Sequence, residues 1–238
     1  MKKRQKIRKG LIIFSFLLFP ATFFYLSPYK IIEATIEGII NGSFIFFIVQ
    51  FLSSLFFGRG FCGWVCPGAG CQEALFQVND KMIKKGDFVK WIIWIPWICA
   101  IIIIAAMKGG YTKIEPLYQT KFGLSITNVY TLIAYLIVVL LIALPSLIAG
   151  RRSFCHFICW MAPFMILGRK LRNIFKWPAL QLSAESEKCK HCKTCETNCP
   201  MSLPVEQMVI QNCMEKAECI LCGTCIDNCR EGVIKFSI

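Results

Sequence analysis

Eight of the chain's 15 cysteines lie in two runs of one form, Cys189-x2-Cys192-x2-Cys195-x3-Cys199-Pro200 and Cys219-x2-Cys222-x2-Cys225-x3-Cys229. Three thiolates spaced two residues apart require a tight loop, which points them at three corners of one metal cluster. The fourth corner falls to the last cysteine of the other run, as in the bacterial two-cluster 4Fe-4S pattern. The spacing predicts one 4Fe-4S cluster on Cys189, Cys192, Cys195 and Cys229, and a second on Cys219, Cys222, Cys225 and Cys199. Zinc also uses C-x2-C pairs, but zinc sites do not usually spend four cysteines per run in this order. Thr194, Gly223 and Thr224 suit loops whose backbone N–H groups donate to cluster sulfur. His191, between ligands, is expected to be a solvated loop residue.

A second cysteine pattern is repeated. Gly58-Arg59-Gly60-Phe61-Cys62-x3-Cys66-Pro67 returns as Gly150-Arg151-Arg152-Ser153-Phe154-Cys155-x3-Cys159, with Trp160 after the last cysteine and Pro163 three residues on. On a helix, thiols at i and i+4 share one face. Cys62 and Cys66, with Cys155 and Cys159, could hold a further metal, each pair supplying half of a four-thiolate site, or could act as redox dithiols. Cys71, Cys99 and Cys213 stand outside any spacing and are expected to pack as small apolar residues.

The elements that carry these residues are apolar helices. Of the 238 residues 56% are hydrophobic and 17% charged, and mean hydropathy is +0.57. Runs of spanning length cover about 11–26, 36–57, 89–107 and 126–148. The first resembles a signal peptide but has no small-residue cleavage site, so it reads as a retained span. Four transmembrane helices form two repeated hairpins, each followed by a C-x3-C motif. Two halves related by an axis along the membrane normal would face their cysteines across it. Lys and Arg number 23 on one side of this arrangement and 4 on the other, which puts both termini, the middle loop and the cluster domain in the cytoplasm. Phe164 to Trp177 mixes apolar and basic residues, as a helix in the membrane interface would. The expected fold is an α-helical membrane domain over 1–177, followed by an α+β two-cluster ferredoxin-like domain over 178–238.

Absences narrow the function. A net charge of +13 would suggest nucleic acid in a soluble protein, but these basic residues flank apolar runs, where anionic lipid is the counter-charge. The two histidines, His156 and His191, lie outside the spans, which excludes a transmembrane haem pair. A Gly-rich dinucleotide fingerprint is missing. Intramembrane ionisable residues, which a proton pump or ion transporter would need, are almost missing, with Glu37 at a span edge.

With two C-x3-C motifs, four apolar runs and tandem cluster runs, the chain resembles the NapH family, membrane quinol dehydrogenase components of periplasmic nitrate reduction. The resemblance implies the electron-transfer component of a quinol-linked oxidoreductase in a prokaryotic inner membrane. Its partners would be lipid, the quinone pool and a redox partner protein. The alternative is a membrane assembly or metal-handling factor, in which the clusters reduce copper and the C-x3-C motifs receive it.

Overall fold

Glycine and proline decide where the apolar runs stop being helix. The computed structural model describes residues 2–83 and 86–238; Lys84 and Lys85, counted in the charge balance, lie outside them. Helix α1 (Lys3–Leu17) meets the segment Phe19–Leu26, which opens with α2 (Phe19–Thr22), at a bend of 58°. Helix α3 (Pro28–Ile36) and strand β1 (Ile39–Asn41) lead into α4 (Gly42–Phe57). Two short helices, α5 (Gly60–Trp64) and α6 (Pro67–Ala74), precede α7 (Val89–Met107). Strand β2 (Lys113–Glu115) then precedes α8 (Val129–Ala149), α9 (Ser153–Phe157) and α10 (Ala162–Phe175).

Helices α7 and α8 are long and apolar enough to cross a membrane, and the bent pair 3–26 makes a third candidate. Only 11% of each apolar window in α7 and α8 is buried within the protein. Rows of exposed Ile and Leu therefore need lipid as their solvent, and the chain is a membrane protein. Helix α7 runs through Pro96 without a break in assignment. The start of α8 is fixed by a capping box, in which Asn128 Oδ1 accepts from Thr131 N at 2.9 Å.

The expected run 36–57 is shorter as helix. Gly38 takes φ +70°, and β1 then pairs parallel with β2, Ile39 opposite Lys113 and Asn41 opposite Glu115. Helix α4 begins at Gly42, where a Cβ would stand 2.4 Å from the Pro116 carbonyl oxygen and 2.7 Å from the Tyr25 ring. Its 16 residues span about 24 Å, below the ~30 Å of a bilayer core. The strand pair ties the two hairpins together at the end away from the cysteine motifs.

The segment expected in the membrane interface is helical, as α10, but it packs along α4. Gly168 meets Ser54 so closely that a Cβ would overlap the Ser54 Oγ, and Met165, Ile166 and Arg169 lie on the buried side. Beyond it, β3 (Gln181–Ala184) pairs antiparallel with β4 (Ile234–Ser237). Between them lie α11 (Thr194–Thr197), α12 (Val205–Ile210) and α13 (Thr224–Asn228). One apolar core runs unbroken from Phe19 and Phe47 in the membrane helices to Val209 and Ile234 beneath this small sheet.

Candidate metal centres

The two C-terminal runs fold alike. The residues flanking the middle cysteine have left-handed backbone in both: His191 (φ 54°) and Lys193 (57°) around Cys192, Leu221 (49°) and Gly223 (71°) around Cys222. Left-handed residues among ordinary ones turn successive peptide N–H groups toward one side, a concavity suited to an anionic core. A short helix, α11 or α13, then brings the third cysteine back toward the loop.

Cys189, Cys192, Cys195 and Cys229 line one cavity of about 400 Å³. Cys199, Cys219, Cys222 and Cys225 line another of about 20 Å³. Each run thus lends its last cysteine to the other. The first cavity opens to solvent beside Lys190, Lys193 and Arg230, and Cys192 there is exposed. A hydrogen bond with Thr194 holds the Cys192 thiol below its usual range. The second cavity is closed by Leu182, Met201, Met208 and Ile220. Burial pushes the Cys199 and Cys219 thiols up to about 12, so metal loading there must release protons. Four thiols around one concavity, repeated twice with the same backbone turn, fit iron–sulfur ligation.

The second quartet sits on the membrane helices. The Trp64 indole N–H donates to the Leu221 carbonyl at 3.1 Å, and a Cβ on Gly63 would stand 2.3 Å from the Ile220 carbonyl oxygen. Arg59, fully buried, pairs with Glu218, whose carboxylate also takes Lys90 Nζ at 2.7 and 2.8 Å. In the second repeat, Arg151 donates to the carbonyls of Thr197 at 2.5 Å and Cys199 at 3.4 Å. The N-terminal helix closes the other side: Gln5 donates to the Cys222 carbonyl at 3.0 Å, and Arg4 to both Asp227 oxygens at 3.0 and 2.8 Å.

The C-x3-C motifs also meet. Cys62, Cys66, Cys155 and Cys159 line a single apolar cavity of about 190 Å³, walled by Phe19, Phe23, Ile142 and Trp160. The expected shared helix face is absent in both repeats. Cys62 lies on α5 and Cys155 on α9, while Cys66 and Cys159 stand beyond those helices, their N–H groups returning to the carbonyls of Phe61 (3.0 Å) and Phe154 (2.9 Å). Pro67 starts a new helix after Cys66, consistent with the extended backbone that proline imposes on its predecessor. Trp160, in the place of that proline, donates instead to the Leu26 carbonyl at 3.0 Å and walls the cavity. Gln72 Nε2 donates to Cys155 Sγ at 3.2 Å, and Cys62 Sγ lies 3.9 Å from Met165 Sδ.

Sequence reasoning finds all twelve of these cysteines and misses what surrounds them. Arg8 meets both Glu73 oxygens at 2.8 Å, and Arg152 pairs with the same carboxylate, all three side chains being nearly inaccessible. Burial opposes ionisation of Glu73, but Arg152 and Arg8 outweigh it and hold the carboxyl below its usual range. The Gly-Arg step shared by both repeats marks Arg59 and Arg151 and gives no signal for Arg8, Glu73 or Arg152. Of the unassigned cysteines, Cys71 is buried while Cys99 and Cys213 are exposed. His191 is exposed, 3.5 Å from Glu206.

Fold and cysteine geometry define a ferredoxin-type membrane protein. The family described as a 4Fe-4S binding domain matches residues 42–85 and 131–178, which are the two C-x3-C repeats. An uncharacterised protein of Methanocaldococcus jannaschii is 26% identical over all of this chain and 97% of its own length. The putative electron transport protein YccM of Escherichia coli is 20% identical over 84% of this chain and 57% of its own. The ferredoxin-type protein NapH of Haemophilus influenzae is 23% identical over 74% of this chain and 61% of its own. No solved structure matches the chain. The chain is thus similar to NapH-like membrane ferredoxins, the resemblance its cysteine motifs suggest.

Proposed function

We propose that this chain relays electrons between the quinone pool and a soluble redox partner, as the electron-transfer component of a quinol-linked oxidoreductase. A 4Fe-4S cluster supplies reversible one-electron transfer. Here Cys189, Cys192, Cys195 and Cys229 would hold one and Cys199, Cys219, Cys222 and Cys225 the other. Residues 178–238 form the cluster domain, and 1–177 the membrane domain with four spans, α4 being the short one. The excess of Lys and Arg at the end that carries the cysteines supports a topology with both termini and the clusters on the cytoplasmic side of a prokaryotic inner membrane.

The observation that carries this reading is the graded placement of the two quartets. One opens to solvent beside Lys190, Lys193 and Arg230, where a soluble partner can approach. The other is pressed by Ile220 and Leu221 onto Gly63 and Trp64 of the membrane part. The N-terminal clasp and the paired arginines Arg59 and Arg151 hold that contact rigid, as fixed-distance electron transfer needs.

Iron, acid-labile sulfide and low-temperature EPR on anaerobically purified protein test it, before and after a menaquinol analogue is added. At least eight iron per chain, four for each of the two C-terminal clusters, with those clusters reduced by quinol, is the expected result. Clusters that quinol leaves oxidised would refute the quinone link, and zinc in place of iron would refute the relay.

A further inference from the structure

The cavity between the two repeats is built for an occupant that carries negative charge. Its four cysteines come two from each half of the chain and converge on one apolar space. Two buried guanidinium groups lie against it. Arg59 is close enough for its charge to act on Cys62, Cys155 and Cys159, and Arg152 Nη1 donates to the Cys62 carbonyl at 2.8 Å. Both side chains are completely inaccessible. Among the described residues, Arg59 Nε and Nη2 and Arg152 Nε have no hydrogen-bond partner. Buried charged donors are not left unpaired without cause.

The surrounding charges do not cancel. Arg8 and Arg152 share the single carboxylate of Glu73. Arg59 and Lys90 share that of Glu218; Asp87, 3.8 Å from Lys90 and half exposed, is also held by His156. The Glu73 group keeps one positive charge in excess, and Arg59 and Lys90 are answered by Glu218 and the half-exposed Asp87. An iron–sulfur core on four cysteine thiolates carries two negative charges in its oxidised state, and the buried guanidinium groups of Arg59 and Arg152 stand beside the cavity as counter-charges.

A single ion fits less well. Among the described residues no three His, Cys, Asp or Glu side chains approach closely enough to hold one metal ion, and this holds equally for the two C-terminal quartets. The 4Fe-4S binding domain family, moreover, matches these repeats and not the C-terminal runs.

We propose that Cys62, Cys66, Cys155 and Cys159 together ligate a third iron–sulfur cluster, between the repeats, with Arg59 and Arg152 as its buried counter-charges and Gln72 donating to the Cys155 sulfur. The proposal deepens the relay reading, since such a centre stands between the second quartet and the membrane interior.

The test is the iron and sulfide content and Mössbauer spectrum of the full-length chain, purified anaerobically from cells grown on 57Fe. Two C-terminal clusters account for about eight iron, so the wild type is expected to exceed that, with matching sulfide. Cys66→Ser with Cys159→Ser is expected to lose only the excess. Cys192→Ser is expected to keep it while losing one C-terminal cluster. Eight iron in the wild type, copper or zinc in place of the excess iron, or an excess that survives the double substitution overturns the proposal. The wild-type count decides even where a variant does not fold. None of these outcomes depends on quinol, so the relay reading stands or falls separately.

Discussion

Replacing Gly63 by alanine should part the second quartet's loop from the membrane helices. The added Cβ would sit 2.3 Å from the Ile220 carbonyl oxygen, 3.3 Å from the Ile220 carbonyl carbon and 3.5 Å from Cys222 N, all backbone atoms. Relief requires the loop to withdraw by about 1 Å, and overpacking of this kind costs about 1–3 kcal/mol. Weakening the Trp64–Leu221 hydrogen bond adds about 1 kcal/mol. Since 1.4 kcal/mol is a factor of ten, transient opening of the interface should become roughly thirty to several hundred times more frequent. Hydrogen exchange over 219–223 reads this directly, with iron content as the check that the clusters remain. Gly60→Ala is the control, because its Cβ meets nothing nearer than Phe57 Cβ at 3.7 Å. If Gly63→Ala exchanges like wild type and like Gly60→Ala, the two surfaces are not in contact and the argument for a rigid seat fails.

Other perturbations bear on the same architecture. Glu218→Gln leaves the inaccessible Arg59 and Lys90 with a neutral partner, so a loss of about 3–5 kcal/mol is expected in denaturant unfolding; a change under about 0.5 kcal/mol would contradict the buried network. Cys199→Ser should alter the EPR signal of the cluster held by Cys219, Cys222 and Cys225 and spare the other, whereas Cys229→Ser should do the reverse; the opposite pairing would mean that the runs do not exchange ligands. Because Arg152 and Arg8 hold Glu73 below its usual range, its contribution is complete above the unfolded value near ~4.3 and is lost as pH falls below that. The stability advantage of wild type over Glu73→Gln should therefore shrink below about pH 4.5, and an advantage that grows on acidification would reverse the assignment. Gly70→Ala places a Cβ 2.3 Å from the Ile12 carbonyl oxygen and should lower the thermal midpoint, while Gly68→Ala, with 3.7 Å of clearance to Ile142, should not.

The sequence is most readable where function depends on local spacing. Cysteines two residues apart demand a loop, and the cross-over of the fourth ligand follows from cluster geometry, so the two quartets can be picked before any fold is known. Helix α7 is legible to its ends because 89–107 is apolar apart from Lys90 near its start, and Pro96 does not break it. Hydropathy is blind to what breaks the other runs. It averages over Gly38, whose left-handed turn starts β1, and over Gly42, whose missing side chain lets Tyr25 and Pro116 close in. The turn between Cys62 and Cys66 is partly legible in Pro67, yet the spacing alone suggests a continuous helix. The buried charges are illegible for a different reason. Arg59 finds Glu218 159 residues away, and Arg8 finds Glu73 65 residues away. Read locally, each is one more basic residue beside a membrane.

The N-terminal clasp has a consequence for biogenesis. Gln5 and Arg4 grip the Cys222 carbonyl and Asp227 across 217 and 223 residues of chain, so the polar end of α1 is satisfied only after those distant residues have been made. Its basic side chains remain in water through the whole of membrane insertion, and the seat for the second quartet exists only after translation passes residue 227. Once Gln5, Trp64 and Arg151 have closed around that quartet, its cysteines lie behind Leu182, Met201, Met208 and Ile220. Iron and sulfide delivery to Cys199, Cys219, Cys222 and Cys225 therefore belongs to the interval between synthesis and closure, and a chain that closes early should be recovered with one quartet loaded and the other empty.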